Sequence, residues 1–84
     1  EVILMTNEEK YNKAFIESFG IEKDKLNGLK YQDVISWDSI GHMQLMTVLE
    51  DEFGVELDID DITDFSSYEE GKNILRKYDV NLNV

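Results

Sequence analysis

Asp38, Ser39 and His42 bring a carboxylate, a hydroxyl and the chain's single imidazole within five consecutive positions. These are the parts of a hydrolytic triad, and on a helix Ser39 and His42, three apart, would be neighbours. A triad also needs an oxyanion hole and a shaped pocket, which 84 residues do not readily supply. The other chemistry open to Ser39 is esterification. A helix N-terminus presents unpaired N–H groups and the positive end of the helix dipole, so a phosphate ester there would be well tolerated. His42 is then expected to be a solvated side chain flanking the attachment point and touching its phosphate. Asp-Ser at a helix start is also ordinary capping chemistry, so these residues alone do not decide between the readings.

Asp58, Asp60, Asp61 and Asp64 invite a calcium reading. With Asp58 as position one of an EF-hand loop, Asp60 and Glu69 fall correctly at positions three and twelve. Ile62 then stands where an oxygen ligand is needed, and Thr63 where the sharp turn wants glycine. A solvated acidic turn capping short helices is the better expectation. The chain has no cysteine, which removes thiol nucleophiles, disulfides and Cys-type zinc sites, and one histidine cannot build a multi-histidine metal centre.

The elements that must position Ser39 are helical. The first is expected from about Asn7 to Phe19, opened by a Thr6/Glu9 capping box and closed by Gly20. Tyr11, Ala14, Phe15, Ser18 and Phe19 share one of its faces. Residues 21 to 37 form a long connection whose Leu26, Leu29, Tyr31, Val34 and Trp37 must pack on the bundle. The second helix begins after Asp38 as N-cap and ends at Gly54. Ile40, Met43, Met46, Leu49 and Phe53 trace its apolar stripe, widened by Leu45 and Val48. A short helix is expected around Asp60 to Asp64. The last starts at Ser66 or Ser67 with Tyr68, Gly71, Ile74, Leu75 and Tyr78 inward, and Lys72, Arg76 and Lys77 late, where cations complement the dipole. The fold expected is an all-α four-helix bundle, three main helices and a short one, with residues 1–6 an N-terminal extension, 7–78 the domain and 79–84 a loose tail.

Eight basic against 19 acidic side chains give a net charge of −11. Such a surface repels nucleic acid and anionic membranes and favours partners with basic patches. No apolar run approaches the roughly 18 residues of a membrane span, and Val2 to Met5 is too short for a signal peptide. A soluble cytoplasmic protein is expected.

Trp37-Asp38-Ser39-Ile40-Gly41-His42-Met43, followed by Leu49-Glu50-Asp51-Glu52-Phe53-Gly54-Val55, resembles the acyl carrier protein family, with its Asp-Ser-Leu motif at the start of an acidic second helix. Ile62 to Tyr68 resembles the family's short third helix and the run into the fourth, and Ile74 to Tyr78 the fourth. The resemblance spans roughly residues 7 to 78. It implies that a holo-carrier-protein synthase (a phosphopantetheinyl transferase) moves 4′-phosphopantetheine from coenzyme A to Ser39. The arm's thiol would then hold an acyl or aminoacyl group as a thioester for successive enzymes. The protein itself would not catalyse.

On that reading Asp38 orders the helix start and helps the transferase recognise it. Ile40 and Met43 contact the arm and partner enzymes, and Met43, Met46, Leu49 and Phe53 are candidate walls for an acyl pocket. Glu50 and Asp51 are candidate docking charges for acyl-activating, acyltransferase or synthase enzymes. A freely shuttling carrier is expected to be a monomer. Two departures stand out: Ile40 where leucine is usual, and Gly41, His42 and Gln44 where fatty-acid carriers typically place acids. The first is mild; Trp37 before the motif and Gly41-His42 after it resemble carriers of specialised pathways, such as polyketide, peptide or surface-polysaccharide tailoring. The rival reading is an unmodified acidic interaction domain.

Overall fold

A computed structural model of the chain describes residues 5–83. Of the N-terminal extension, Met5 and Thr6 are described and residues 1–4 lie outside that range. Four α-helices and one 3-10 turn follow in order: α1 (Asn7–Phe19), the turn (Lys23–Lys25), α2 (Ser39–Phe53), α3 (Ile59–Asp64) and α4 (Tyr68–Arg76). Among the described residues the only β pairing is an isolated bridge between Lys30 and Ser67. The all-α bundle expected from the sequence is the architecture found. No helix among these residues is long and apolar enough to cross a membrane.

The helix ends follow the side chains that cap them. Thr6 accepts from the Glu9 N–H while Glu9 accepts from the Thr6 N–H, which closes the capping box of α1. Asp38 opens α2 by accepting from the Gly41 N–H at 2.8 Å. Of the two serines that could open α4, Ser67 does so, accepting from Glu70 N–H. The core is strongly aromatic. Phe15 is its hub, edge-on to Tyr11, Phe19, Trp37 and Tyr68 and stacked with Phe65. Aromatic pairs in these geometries add to the stabilisation that area burial provides.

Two expectations fail. The apolar stripe of α2 is rotated: Gly41, Leu45, Met46 and Leu49 face inward, while Ile40 is 79% exposed and Met43 50%. Apolar residues cover more than half the circumference of this helix, so spacing alone admits two adjacent stripes. Gly41 selects between them, because only the face without a Cβ accepts the loop packed against it. The tail is also not loose. Val80 and Leu82 are only 7% and 8% exposed, and Asn7 donates its side-chain amide to the Asn81 carbonyl. These contacts join the tail to the core and to the start of α1.

Candidate functional site

The long connection before α2 sets the site. Leu26, Leu29 and Trp37 are buried within it, and Tyr31 lies at its surface. The Tyr31 N–H donates to the Ser66 carbonyl, and the Tyr68 N–H donates to Leu29, which fastens the connection to the α3–α4 junction. Ser36 donates its hydroxyl to the Phe19 carbonyl at the end of α1. The segment leading into Asp38 is therefore held at both sides.

Ser39 is the first residue of α2 and is exposed. Asp38 takes the Gly41 N–H with its side chain and the His42 N–H with its carbonyl. The Ser39 and Ile40 N–H groups, which no carbonyl of the helix can reach, stay available beside the Ser39 hydroxyl. Next to that hydroxyl opens a groove of about 360 Å³, lined by Tyr31, Ser39, His42, Met43, Ile62, Thr63, Phe65 and Ser66. A nucleophilic oxygen, unpaired N–H donors and an adjoining, largely apolar groove fit a phosphate-linked arm.

His42 is not a solvated flank. Trp37 donates Nε1–H to His42 Nδ1 at 3.0 Å, and His42 Nε2 lies 2.8 Å from the Ile62 carbonyl. Because Nδ1 accepts, Nε2 must carry the proton and donate to Ile62. One imidazole thus ties the connection, α2 and α3 together. Its ring lies parallel to Trp37, 13° between planes, with Tyr31 and Phe65 edge-on. Both nitrogens are engaged away from Ser39, so His42 is not placed to act as its base, and the triad reading loses its central member.

The sequence-predicted residues divide. Ser39 and Met43 meet in the groove. Asp38 supports it as N-cap. Ile40 points to solvent outside the lining. Met46 and Leu49 are fully buried core rather than pocket wall. Glu50 accepts from the Leu57 N–H at 2.8 Å, closing the turn after α2, while Asp51 is exposed. Tyr31, Ile62, Thr63, Phe65 and Ser66 were not foreseen as groove residues. Their only signal is the apolar Ile62 and Phe65 flanking the acidic turn, and spacing does not say which way so short a helix faces.

The acidic turn is also more ordered than a solvated cluster. Asp61 is buried and accepts from Lys77 Nζ and from the Tyr78 hydroxyl, each at 2.5 Å. The hydrogen bond from Lys77, then that from Tyr78, holds its carboxyl below the usual carboxylate range, and Asp61 in turn raises Lys77. Lys77 thus serves as a clasp between α3 and the end of α4 rather than as a free dipole charge.

Residues 37–70 match the family model described as "Phosphopantetheine attachment site". A curated relative, an acyl carrier protein of Lactobacillus johnsonii (strain CNCM I-12250 / La1 / NCC 533), is 41% identical over 61 residues, covering 68% of this chain and 76% of the relative. No solved structure matches the chain.

Proposed function

This chain belongs to the acyl carrier protein family, and from that premise we propose that Ser39 is the residue bearing its 4′-phosphopantetheine. The observation that carries this is the placement of Ser39: an exposed hydroxyl at the first position of a capped helix, at the mouth of the groove. In the loading reaction the Ser39 oxygen attacks the pyrophosphate of coenzyme A. A phosphodiester forms, the nucleotide half leaves, and the serine proton passes to a base on the transferase. When bound, the arm supplies a thiol on which an acyl or aminoacyl group rides as a thioester. The chain's own residues bind and orient. Asp38 holds the first turn of α2, the Ser39 and Ile40 N–H groups are available to the phosphate, and Tyr31, Met43, Ile62 and Phe65 wall the groove. The role is that of a carrier rather than a catalyst.

The partners follow from the surface. The first turn of α2 carries no acid, and Ile40 is exposed beside Ser39. Asp51 lies exposed further along the helix, whereas Glu50 is engaged with Leu57. This distribution supports docking by apolar contact near Ser39 and by charge at a distance. It favours a specialised pathway over the housekeeping fatty-acid one. In vitro charging with candidate activating enzymes tests the point, and loading solely by the fatty-acid malonyl transferase would overturn it.

The test of the site is intact mass before and after incubation with coenzyme A, magnesium and a broad-specificity phosphopantetheinyl transferase. One added arm on the wild type and none on Ser39→Ala is the expected result. Addition to a folded Ser39→Ala protein would move the site elsewhere. No addition to wild type by several transferases would favour an unmodified interaction domain.

A further inference from the structure

Resting on the carrier reading, we infer that His42 closes the floor of the groove beside Ser39, so that the carrier takes a short acyl cargo at the rim and leaves a long chain outside its core. The groove beside Ser39 opens between α2 and α3, so a chain that enters the interior through it passes between them. His42 stands in that gap, bonded to Trp37 on one side and to the Ile62 carbonyl of α3 on the other. The ring is further fixed by the edge contacts it makes with Tyr31 and Phe65.

Among the described residues, the layer beneath His42 is packed. Leu45 and Leu49 are wholly buried, and Met46 nearly so. To admit a long chain the protein would have to swing His42 out and break both of its hydrogen bonds together. The indole N–H of Trp37 would then face hydrocarbon without an acceptor, as would the Ile62 carbonyl without a donor, and orphaned buried groups of this kind oppose the opening. The groove itself needs no such opening. Its mouth is formed by Ser39 and Met43 of α2 and by Ile62, Thr63 and Phe65 across from them. A few carbons beyond the thioester can lie there against Met43 and Ile62. A longer chain finds no enclosed apolar wall beyond these, because Leu45 and Leu49 lie behind His42 and Ile40 stands open to solvent. His42 is thus a specificity-determining residue that acts on cargo length.

The experiment loads wild type, His42→Ala and His42→Gln directly from acetyl-, butyryl-, octanoyl- and dodecanoyl-coenzyme A, with intact mass confirming each product. Melting temperature and the rate of thioester cleavage by hydroxylamine are then read for every form. Wild type is expected to be blind to length from butyryl to dodecanoyl in both readouts. In His42→Ala the floor is open. A chain held inside four-fifths of the time would slow cleavage about fivefold, since reactivity follows the exposed fraction, and would raise the melting temperature. His42→Gln can accept from Trp37 and donate to Ile62, so it is expected to restore blindness to length.

A wild-type melting temperature that climbs from butyryl to dodecanoyl, with cleavage slowing in step, would overturn the inference even if His42→Ala does not fold. A folded His42→Ala that stays blind to length would overturn the assignment to His42. Failure of every acyl group to load on Ser39 would be visible in the mass alone. It would overturn the carrier reading and the cargo assignment with it.

Discussion

The carbonyl oxygen of Ser36 lies 1.9 Å from the point where a β-carbon on Gly41 would stand. The connection before α2 therefore rests directly on the backbone of the helix, about half a turn along from Ser39. This contact orients α2, and it places the Asp38 cap and the Ser39 hydroxyl relative to the Tyr31 wall.

Gly41→Ala is accordingly expected to destabilise the fold. The atom in the way is backbone, held by the hydrogen bond from the Ser36 hydroxyl to Phe19, so it cannot swing aside as a side chain could. Overpacking of this kind costs about 1–3 kcal/mol. Urea unfolding with linear extrapolation would measure it, and slower loading of Ser39 is expected alongside as the first turn of α2 shifts.

The Asp61–Lys77 clasp predicts a pH window. The Asp61 carboxyl is depressed in the fold, chiefly by Lys77, so its contribution is present above its ordinary value of 3.8 and is lost as pH falls through the folded value. Lys77 is raised in the fold, so its contribution is full below 10.5 and is lost as pH rises past that value. The stability difference between wild type and Asp61→Asn should be flat between these limits and close at both ends. Unfolding curves across pH would show it. A difference that persists in strong acid would mean that the clasp acts by shape rather than charge.

Much of this molecule is legible in its sequence, for a physical reason. Caps and stops are local: Thr6, Asp38 and Ser67 each satisfy N–H groups within three residues, and Gly20 and Gly54 adopt the left-handed conformation that ends a helix. Ser39 was accessible in the same way, since its neighbours define a helix start. What failed to show was relative orientation. The face of α2 depends on Ser36 meeting Gly41, and the role of His42 depends on Trp37 and Ile62 arriving from two other segments. Hydropathy spacing carries neither relation. It also misplaced Val80 and Leu82, because two apolar residues among Asp79, Asn81 and Asn83 read as a tail until the core that receives them is known.

Tyr11→Phe probes the polar interior between α1 and α4. The buried Tyr11 hydroxyl donates to the Tyr68 carbonyl at 2.7 Å, and the Tyr68 hydroxyl donates to Asn12. The Tyr68 carbonyl keeps its helical partner, so removing the first donor costs the net worth of one hydrogen bond, about 0.5–1.5 kcal/mol. Burial also pushes the Tyr11 phenol well above its ordinary value of 10.0. Its stabilisation is therefore complete below that pH and lost as pH rises through the higher folded value. In an alkaline ultraviolet titration, Tyr11 is expected to ionise only as the protein unfolds, and Tyr11→Phe should remove that component.

Deleting residues 79–84 should destabilise the domain rather than trim a dispensable end. Val80 N–H bonds to the Leu75 carbonyl, which turns the chain back after α4 and lays Val80 and Leu82 on the core. Fully burying each such side chain contributes roughly 1.5–3 kcal/mol against leaving it exposed. The truncated protein is thus expected to lose about 2–4 kcal/mol, somewhat less than the sum because a denatured chain already buries part of that surface. Val80→Ala with Leu82→Ala in the full-length chain should reproduce most of the loss, and the Asn7 to Asn81 contact accounts for the remainder. If the truncated protein unfolds at the wild-type urea midpoint, the tail does not hold the bundle together. The groove lies at the other end of α2's packing, beside α3, so Ser39 in the folded fraction should still accept the arm at the wild-type rate.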